Sequence, residues 1–303
     1  MTRLLVGQLR GGKPALAAWL GADQRQRAIP FYVWDEEADF ILSSMARGPI
    51  CGLDQTFIAA AHVHLDEIAR LTRSARARAI ATAMAAEARA DLMGFLGKVD
   101  MARLTALRTA MAKGDPAIPL TEQLIESTLI YAPFTRDDGG SAYAGNLRRE
   151  TMMKVNFLTN LKAASRGGRS PKVLMKFGSN HLARGLSPTH VPSLGSFVAE
   201  TALGMGKSVF NLRMICGPGT MQMLFDGTPY DCEADEFAPL AVALKPWLLG
   251  SGNTLFDMRP LREHPGLWKD WPAEAKEIVW SYDAVVVIGA SGPSNFLAPL
   301  PKP

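Results

Sequence analysis

Lys172-Val173-Leu174-Met175-Lys176-Phe177-Gly178-Ser179-Asn180-His181 is the stretch on which the reading of this chain turns. A short apolar run closed by a Gly-Ser-Asn turn is the pattern of a buried strand that ends in a tight loop. Downstream, Ser208–Cys216, Asn253–Asp257 and Asp283–Ile288 repeat the pattern, and Pro192–Gly204 and Ala238–Leu249 read as helices between them. Strands separated by helices imply crossover connections, so the spacing predicts an α/β fold, a mainly parallel sheet flanked by helices. Ligands of such sheets sit beyond the carboxyl ends of the strands. The Gly178–His181 turn is therefore the leading site candidate. His181 has the chemistry of a general base near neutral pH, Asn180 offers amide donors, and Arg184 can hold a carboxylate or a developing oxyanion. The competing reading is a turn whose Ser179 and Asn180 only satisfy backbone groups.

Upstream of Gly167-Gly168-Arg169-Ser170-Pro171 the character is helical, so 1–166 is expected to be a helical subdomain in the N-terminal half and 167–303 the α/β part of one domain. A helical lead-in over 1–34 is followed by the acidic helix start Asp35-Glu36-Glu37. From Asp54 to Arg70, Phe57, Ile58, Ala61, Leu65 and Ile68 fall on one helical face. Ser74–Lys113 reads as one or two Ala- and Arg-rich helices, stopped by Gly114-Asp115-Pro116, and Thr121, Gln123 and Glu126 open another. The Asp137-Asp138-Gly139-Gly140 loop leads into a long helix from about Ser141 to Ala164.

That last helix carries a second candidate. Arg149, Met153, Asn156 and Asn160 share one stripe, with Leu147, Val155, Leu158 and Leu161 opposite. Met152, Met153 and Phe157 leave little solvated face, so Arg149 and Asn156 are expected to need partners, either a ligand or structural hydrogen bonds. Asp54, in Gly52-Leu53-Asp54-Gln55, is expected to cap the helix it begins and also to face the cleft. His64 is too far along the helix from Asp54 to share an ion, and His62 and His64, two apart, point away from each other, so a satisfied structural role is the simpler reading.

Composition narrows the partners. Lys and Arg number 33 against 29 Asp and Glu in 303 residues, giving a net charge of +4, an excess too small and scattered for nucleic acid. Arg70, Arg73, Arg76 and Arg78 read as a solvated helix face. The three cysteines, Cys51, Cys216 and Cys232, form no CxxC pair. That pattern argues against a disulfide framework or zinc site and makes Cys216 a small buried hydrophobe. No bilayer-spanning or signal-type segment is evident, which makes the chain, as written, an expected cytoplasmic and soluble protein. Cys216-Gly217-Pro218-Gly219 and Gly289-Ala290-Ser291-Gly292 lack the dinucleotide and phosphate-loop patterns, and no GxSxG nucleophile elbow occurs. No metal or cofactor is called for, and the expected partner is a small-molecule substrate or ligand.

Taken in order, Gly52–Gln55, Arg149-Glu150 with Met153 and Asn156, Lys172–His181, Leu194-Gly195 and Tyr282–Val287 resemble the erythromycin esterase-like family, grouped with ChaN-type haem-uptake proteins. Each piece is short, and the order carries the resemblance. It implies an α/β fold with a helical subdomain and ester hydrolysis by a histidine and glutamate cluster that activates water. Here His181 corresponds to the second histidine of the family's strand-end motif, while Gly178 stands at the first. The family's N-terminal Gly-Glu and following histidine have no counterpart, as expected of a shortened chain or a non-hydrolytic subgroup. On this resemblance His181 is the catalytic candidate, with Arg149, Asn156, Asn180, Arg184 and Asp54 contacting substrate. The alternative it implies is a binding protein for haem or another small molecule, to which His181 and the methionines would contribute.

Overall fold

Ser74 shows how local sequence sets the helices of this protein. In a computed structural model that describes residues 2–29, 33–135, 142–165, 171–222, 228–232 and 238–299, its hydroxyl accepts from the Ala77 amide at 3.2 Å and starts helix α6 (Ala75–Ala90). Asp100 caps α8 (Met101–Thr109) in the same way, accepting from Ala102 at 2.8 Å. The buried Asp115 accepts from Thr72, Arg73 and Ala117, joining the end of α5 (Ala61–Leu71) to the start of α9 (Ile118–Thr135). The remaining helices before the sheet are α1 (Thr2–Leu9), α2 (Lys13–Gly21), α3 (Arg25–Ala28), α4 (Asp35–Met45), α7 (Phe95–Lys98), α10 (Ala142–Ala164), α11 (Ser179–Leu182) and α12 (Leu194–Gly204).

The chain divides into two compact units. Met1–Asn160 with Asn295–Pro303 form one, and Leu161–Ser294 the other. In the first, Ala77, Ala81, Ala85 and Ala88 give α6 a small-residue face against Leu65 and Ile68 of α5, with Leu104, Leu107 and Leu124 closing the core. A neighbouring cluster gathers Leu5, Leu9, Leu16, Leu20, Ile41 and Val63. The last described segment returns to this unit: Phe296 stacks on Trp34 with ring centroids 4.2 Å apart, and Leu297 N–H donates to Val33 at 2.8 Å.

The second unit holds β1 (Leu212–Cys216), β2 (Thr220–Gln222), β3 (Pro229–Asp231), α13 (Ala238–Leu244), β4 (Thr254–Asp257), α14 (Arg259–Glu263), α15 (Ala273–Ser281) and β5 (Ala284–Ile288). The sheet order is β1-β5-β4, with β1 parallel and β4 antiparallel to β5, and β2 pairs β3 as a separate antiparallel ribbon. Ile215, Val285, Val287 and Phe256 pack with Leu240, Leu244, Ala275 and Ile278 of α13 and α15. On the alternate positions Leu212, Met214 and Leu255 are 37%, 65% and 59% exposed, so only one face of the sheet is covered by its own unit.

The expectation of a mainly parallel α/β fold is corrected. Helix takes 59% of the described residues and strand 10%, in sheets of three and two strands. Three of the four apolar runs do become strands, but Asn253–Asp257 yields one that runs antiparallel. Lys172–Phe177 forms no ladder; Val173 and Leu174 are 53% and 79% exposed. Short apolar runs have the same pattern whether or not a neighbour pairs with them, which is why composition misled here. Asp54 caps no helix, because α5 begins only at Ala61, after a 3₁₀ turn at Ile58–Ala60. The cysteine reading also fails, since Cys216 and Cys232 form a disulfide with Cα atoms 5.6 Å apart. The Asp137–Gly140 loop and the Gly167–Ser170 boundary lie outside the described residues. Among the described residues no helix is long and apolar enough to cross a membrane.

Candidate functional site

In the first unit, the irregular segment Leu53–Phe57 is held by polar side chains from three helices. Arg149 of α10 forks onto Asp54: its Nε donates to Oδ1 at 2.9 Å and a terminal nitrogen donates to Oδ2. Two turns further on, the Asn156 amide donates to the Leu53 carbonyl at 2.7 Å. Gln55 donates to the Tyr131 hydroxyl of α9 at 3.1 Å, and the Thr56 amide donates to Ser127 at 3.0 Å. Burial works against the Arg149 charge, but the Asp54 carboxylate outweighs it and raises the guanidinium pKa. Burial also raises the Tyr131 pKa, with Gln55 opposing.

His64 closes this seam from below. Its Nε2 faces the Leu120 carbonyl at 2.9 Å and its Nδ1 faces the Thr56 hydroxyl at 3.0 Å. A carbonyl only accepts, so Nε2 carries the proton and Nδ1 receives the Thr56 hydroxyl hydrogen. Complete burial pushes the pKa of His64 down to about 3. The structural role expected of the two histidines thus holds for His64. His62 is equally buried, beside Asp23. Burial lowers its pKa, partly opposed by Asp23.

The polar stripe of α10 therefore points inward, and the apolar stripe opposite it is the exposed one. Leu147, Val155 and Leu158 are 37%, 57% and 44% exposed. Beside them lies an open cleft of about 570 Å³ lined by Leu147, Met152, Val155 and Asn156, with Glu126 and Arg148 among its polar lining. Arg148 and Glu126 form a bidentate pair there, both contacts 2.7 Å. Asn156 belongs to both the cleft wall and the bonds to segment 53–57.

His181 lies in the second unit, half-buried on α11 beside Asn180. The turn is firmly seated. The Tyr282 hydroxyl donates to the Ser179 carbonyl at 2.5 Å, and the Asn211 amide donates to the Leu182 carbonyl. Phe177 meets the imidazole edge-on, with centroids 6.4 Å apart. Gly195 permits α12 to start directly against Leu182, because a Cβ there would collide with the Leu182 backbone. Arg184 is committed to protein groups: Nη1 and Nη2 donate to Asp283 at 2.7 and 2.5 Å, and Nη2 also to the Val209 carbonyl at 3.1 Å. Asp283, only 3% exposed, also accepts from the Asn211 amide at 2.8 Å, and Arg262 lies at 3.5 Å.

Of the sequence candidates, Asp54, Arg149 and Asn156 come together from positions about a hundred residues apart, and Asn180, His181 and Arg184 remain together as neighbours in the other unit. Gln55, Thr56, Ser127, Tyr131, Arg148, Glu126 and Asp283 were not singled out from sequence. Ser127 and Tyr131, one turn apart in a mostly apolar helix, and an aspartate directly before the Ala284–Ile288 run were the available signals.

No family model matches the chain, and no curated protein matches it. Among solved structures, a crystal structure of a Bacillus cereus protein is similar at 13% identity, with a TM-score of 0.48 and coverage of 87% of this chain and 73% of that one.

Proposed function

We propose that this protein binds a small, largely apolar molecule along α10, with Asn156 and the Arg148–Glu126 pair as its fixed polar lining. The observation that carries this reading is the double role of Asn156, which lines the cleft and is tied to Leu53. Apolar walls with a few oriented polar groups are the usual make-up of small-molecule sites. The resemblance to esterase-like proteins suggests macrolides as first ligands to try. Isothermal titration with erythromycin should give saturable binding that Val155→Asp weakens at least tenfold. Val155 is 57% exposed, so the melting temperature should stay within about 1–2 °C of the parent. Equal affinity in the variant would discard the cleft as the site.

A second reading, ester hydrolysis with His181 as base, is favoured by the fixed seating of α11 and by the same resemblance. It predicts turnover of aryl or macrolide esters that falls about 10²–10⁴-fold in His181→Ala, the range general base catalysis contributes. Undiminished turnover in the variant would remove His181 from the chemistry. Haem titration separates the remaining form of the binding reading, for which a shifted Soret band is the expected signature.

A further inference from the structure

Asn156 offers the cleft along α10 one end of its amide and withholds the other. Its Nδ2 donates to the Leu53 carbonyl at 2.7 Å. A carbonyl only accepts, so this bond fixes which end is nitrogen and leaves Oδ1 as the uncommitted atom. The main-chain carbonyl of Asn156 is taken by the Asn160 side chain at 2.8 Å. Among the described residues Oδ1 has no hydrogen-bond partner, and it is not shut away from solvent. Asn156 is half-buried and lines the cleft, so Oδ1 is an oriented acceptor on its wall.

The other polar lining adds to this bias. Thr151 gives its hydroxyl hydrogen to the Leu147 carbonyl at 2.8 Å and keeps only acceptor lone pairs. Glu126 and Arg148 neutralise each other through two contacts of 2.7 Å, so the lining carries no net charge. Arg148 retains Nη1 as a donor, but its side chain is 45% exposed, and a polar contact that competes with water contributes little. Leu147, Met152 and Val155 supply the apolar wall. A neutral, largely apolar molecule matches this wall, and its polar group has to donate.

We infer that the ligand class is a neutral apolar alcohol or phenol, whose hydroxyl donates to Asn156 Oδ1 while its hydrocarbon body lies on Leu147, Met152 and Val155. This rests on the proposed binding cleft and adds to it the direction of the hydrogen bond. Methylating such a hydroxyl removes the donor and adds an apolar carbon. Hydrophobic burial alone therefore ranks the ether above the alcohol, and the unmet acceptor ranks it below. The two orders are opposite, so a matched pair of ligands decides between them.

The full chain is titrated at neutral pH with 2-naphthol and with its methyl ether, 2-methoxynaphthalene, followed by ligand fluorescence and by the NMR signals of α10. The naphthol should bind about tenfold more tightly and shift the side-chain amide signals of Asn156. The ether should move the Val155 backbone signal and leave those of the Asn156 side chain in place. Val155→Asp should weaken both ligands alike, which locates them in the cleft. Equal affinities, a tighter ether, or an Asn156 side chain that ignores the naphthol would overturn the inference, while the cleft would stand as a binding site. If neither compound moves α10 and erythromycin does not bind either, the cleft itself falls and the inference with it.

Discussion

His64 is held neutral by its surroundings, with a carbonyl on one nitrogen, a hydroxyl on the other and no solvent. Its folded pKa of about 3 lies below the ordinary histidine value near 6.5. Between those values the unfolded chain binds the extra proton, so stability is fully present above about pH 6.5 and falls as pH drops toward 3. Between pH 7 and pH 5 this residue should account for a loss of about 1–2 kcal/mol. Urea unfolding at the two pH values is the measurement, and His64→Gln should show a shallower dependence; an identical slope would mean that other groups set it. His62 shifts in the same direction through burial, which makes His62→Gln the matching control. Arg149 illustrates a different limit of sequence reading at this scale. Its need for a partner was legible from a crowded helix, yet nothing local names Asp54, because their contact joins segments 95 residues apart.

At the scale of elements, glycines separate close packing from mere flexibility. On α12, Gly195 abuts the Leu182 backbone, whereas Gly204 has nothing within 4 Å of a Cβ. Gly195→Val should cost about 2–3 kcal/mol through overpacking and shift the amide resonances of α11. Gly204→Ala should be neutral or stabilising by a few tenths to about 1 kcal/mol. Chemical denaturation of both variants checks the contrast, and equal midpoints would show that α11 yields to the added side chain. Most helices were legible because each carries its own signals, such as the Ser74 cap and the Gly114-Asp115-Pro116 stop. Strands were less so. Val285 and Val287 look like Val173 and Leu174 in sequence, but pairing is decided by segments elsewhere in the chain, and only the former found neighbours. The Cys216–Cys232 bond was hidden for the same reason, since spacing of 16 residues says nothing until the ribbon brings the sulfurs together.

At the scale of the molecule, the first unit is discontinuous: its Met1–Asn160 part is completed by Asn295–Pro303. Phe296 stacks on Trp34, and Ala298, 3% exposed, belongs to the cluster of Leu16 and Leu20. Phe296→Ala should therefore destabilise the first unit by about 1–3 kcal/mol and leave the second unchanged. Hydrogen exchange resolved by segment is the check, with faster exchange expected in α2 and α4; if α13 and α15 respond equally, the two units do not unfold separately. Composition did foresee a helical front half and a change of character behind it. It could not foresee that the final segment belongs to the front, because that is set by contacts between segments distant in the chain: the Trp34–Phe296 stack, the Val33–Leu297 hydrogen bond and the burial of Ala298.

The stacking of Phe296 on Trp34 also imposes an order on biosynthesis. Trp34 leaves the ribosome early, but its ring partner follows only after Leu161–Ser294 has been made. At ~5–20 residues per second this delay is on the order of ten to fifty seconds. During that time the apolar surface around Trp34 is without its cover, while the later-made unit has all of its own residues available to fold. The surface between α2 and α4 is therefore the part of the first unit that stays uncovered longest during synthesis.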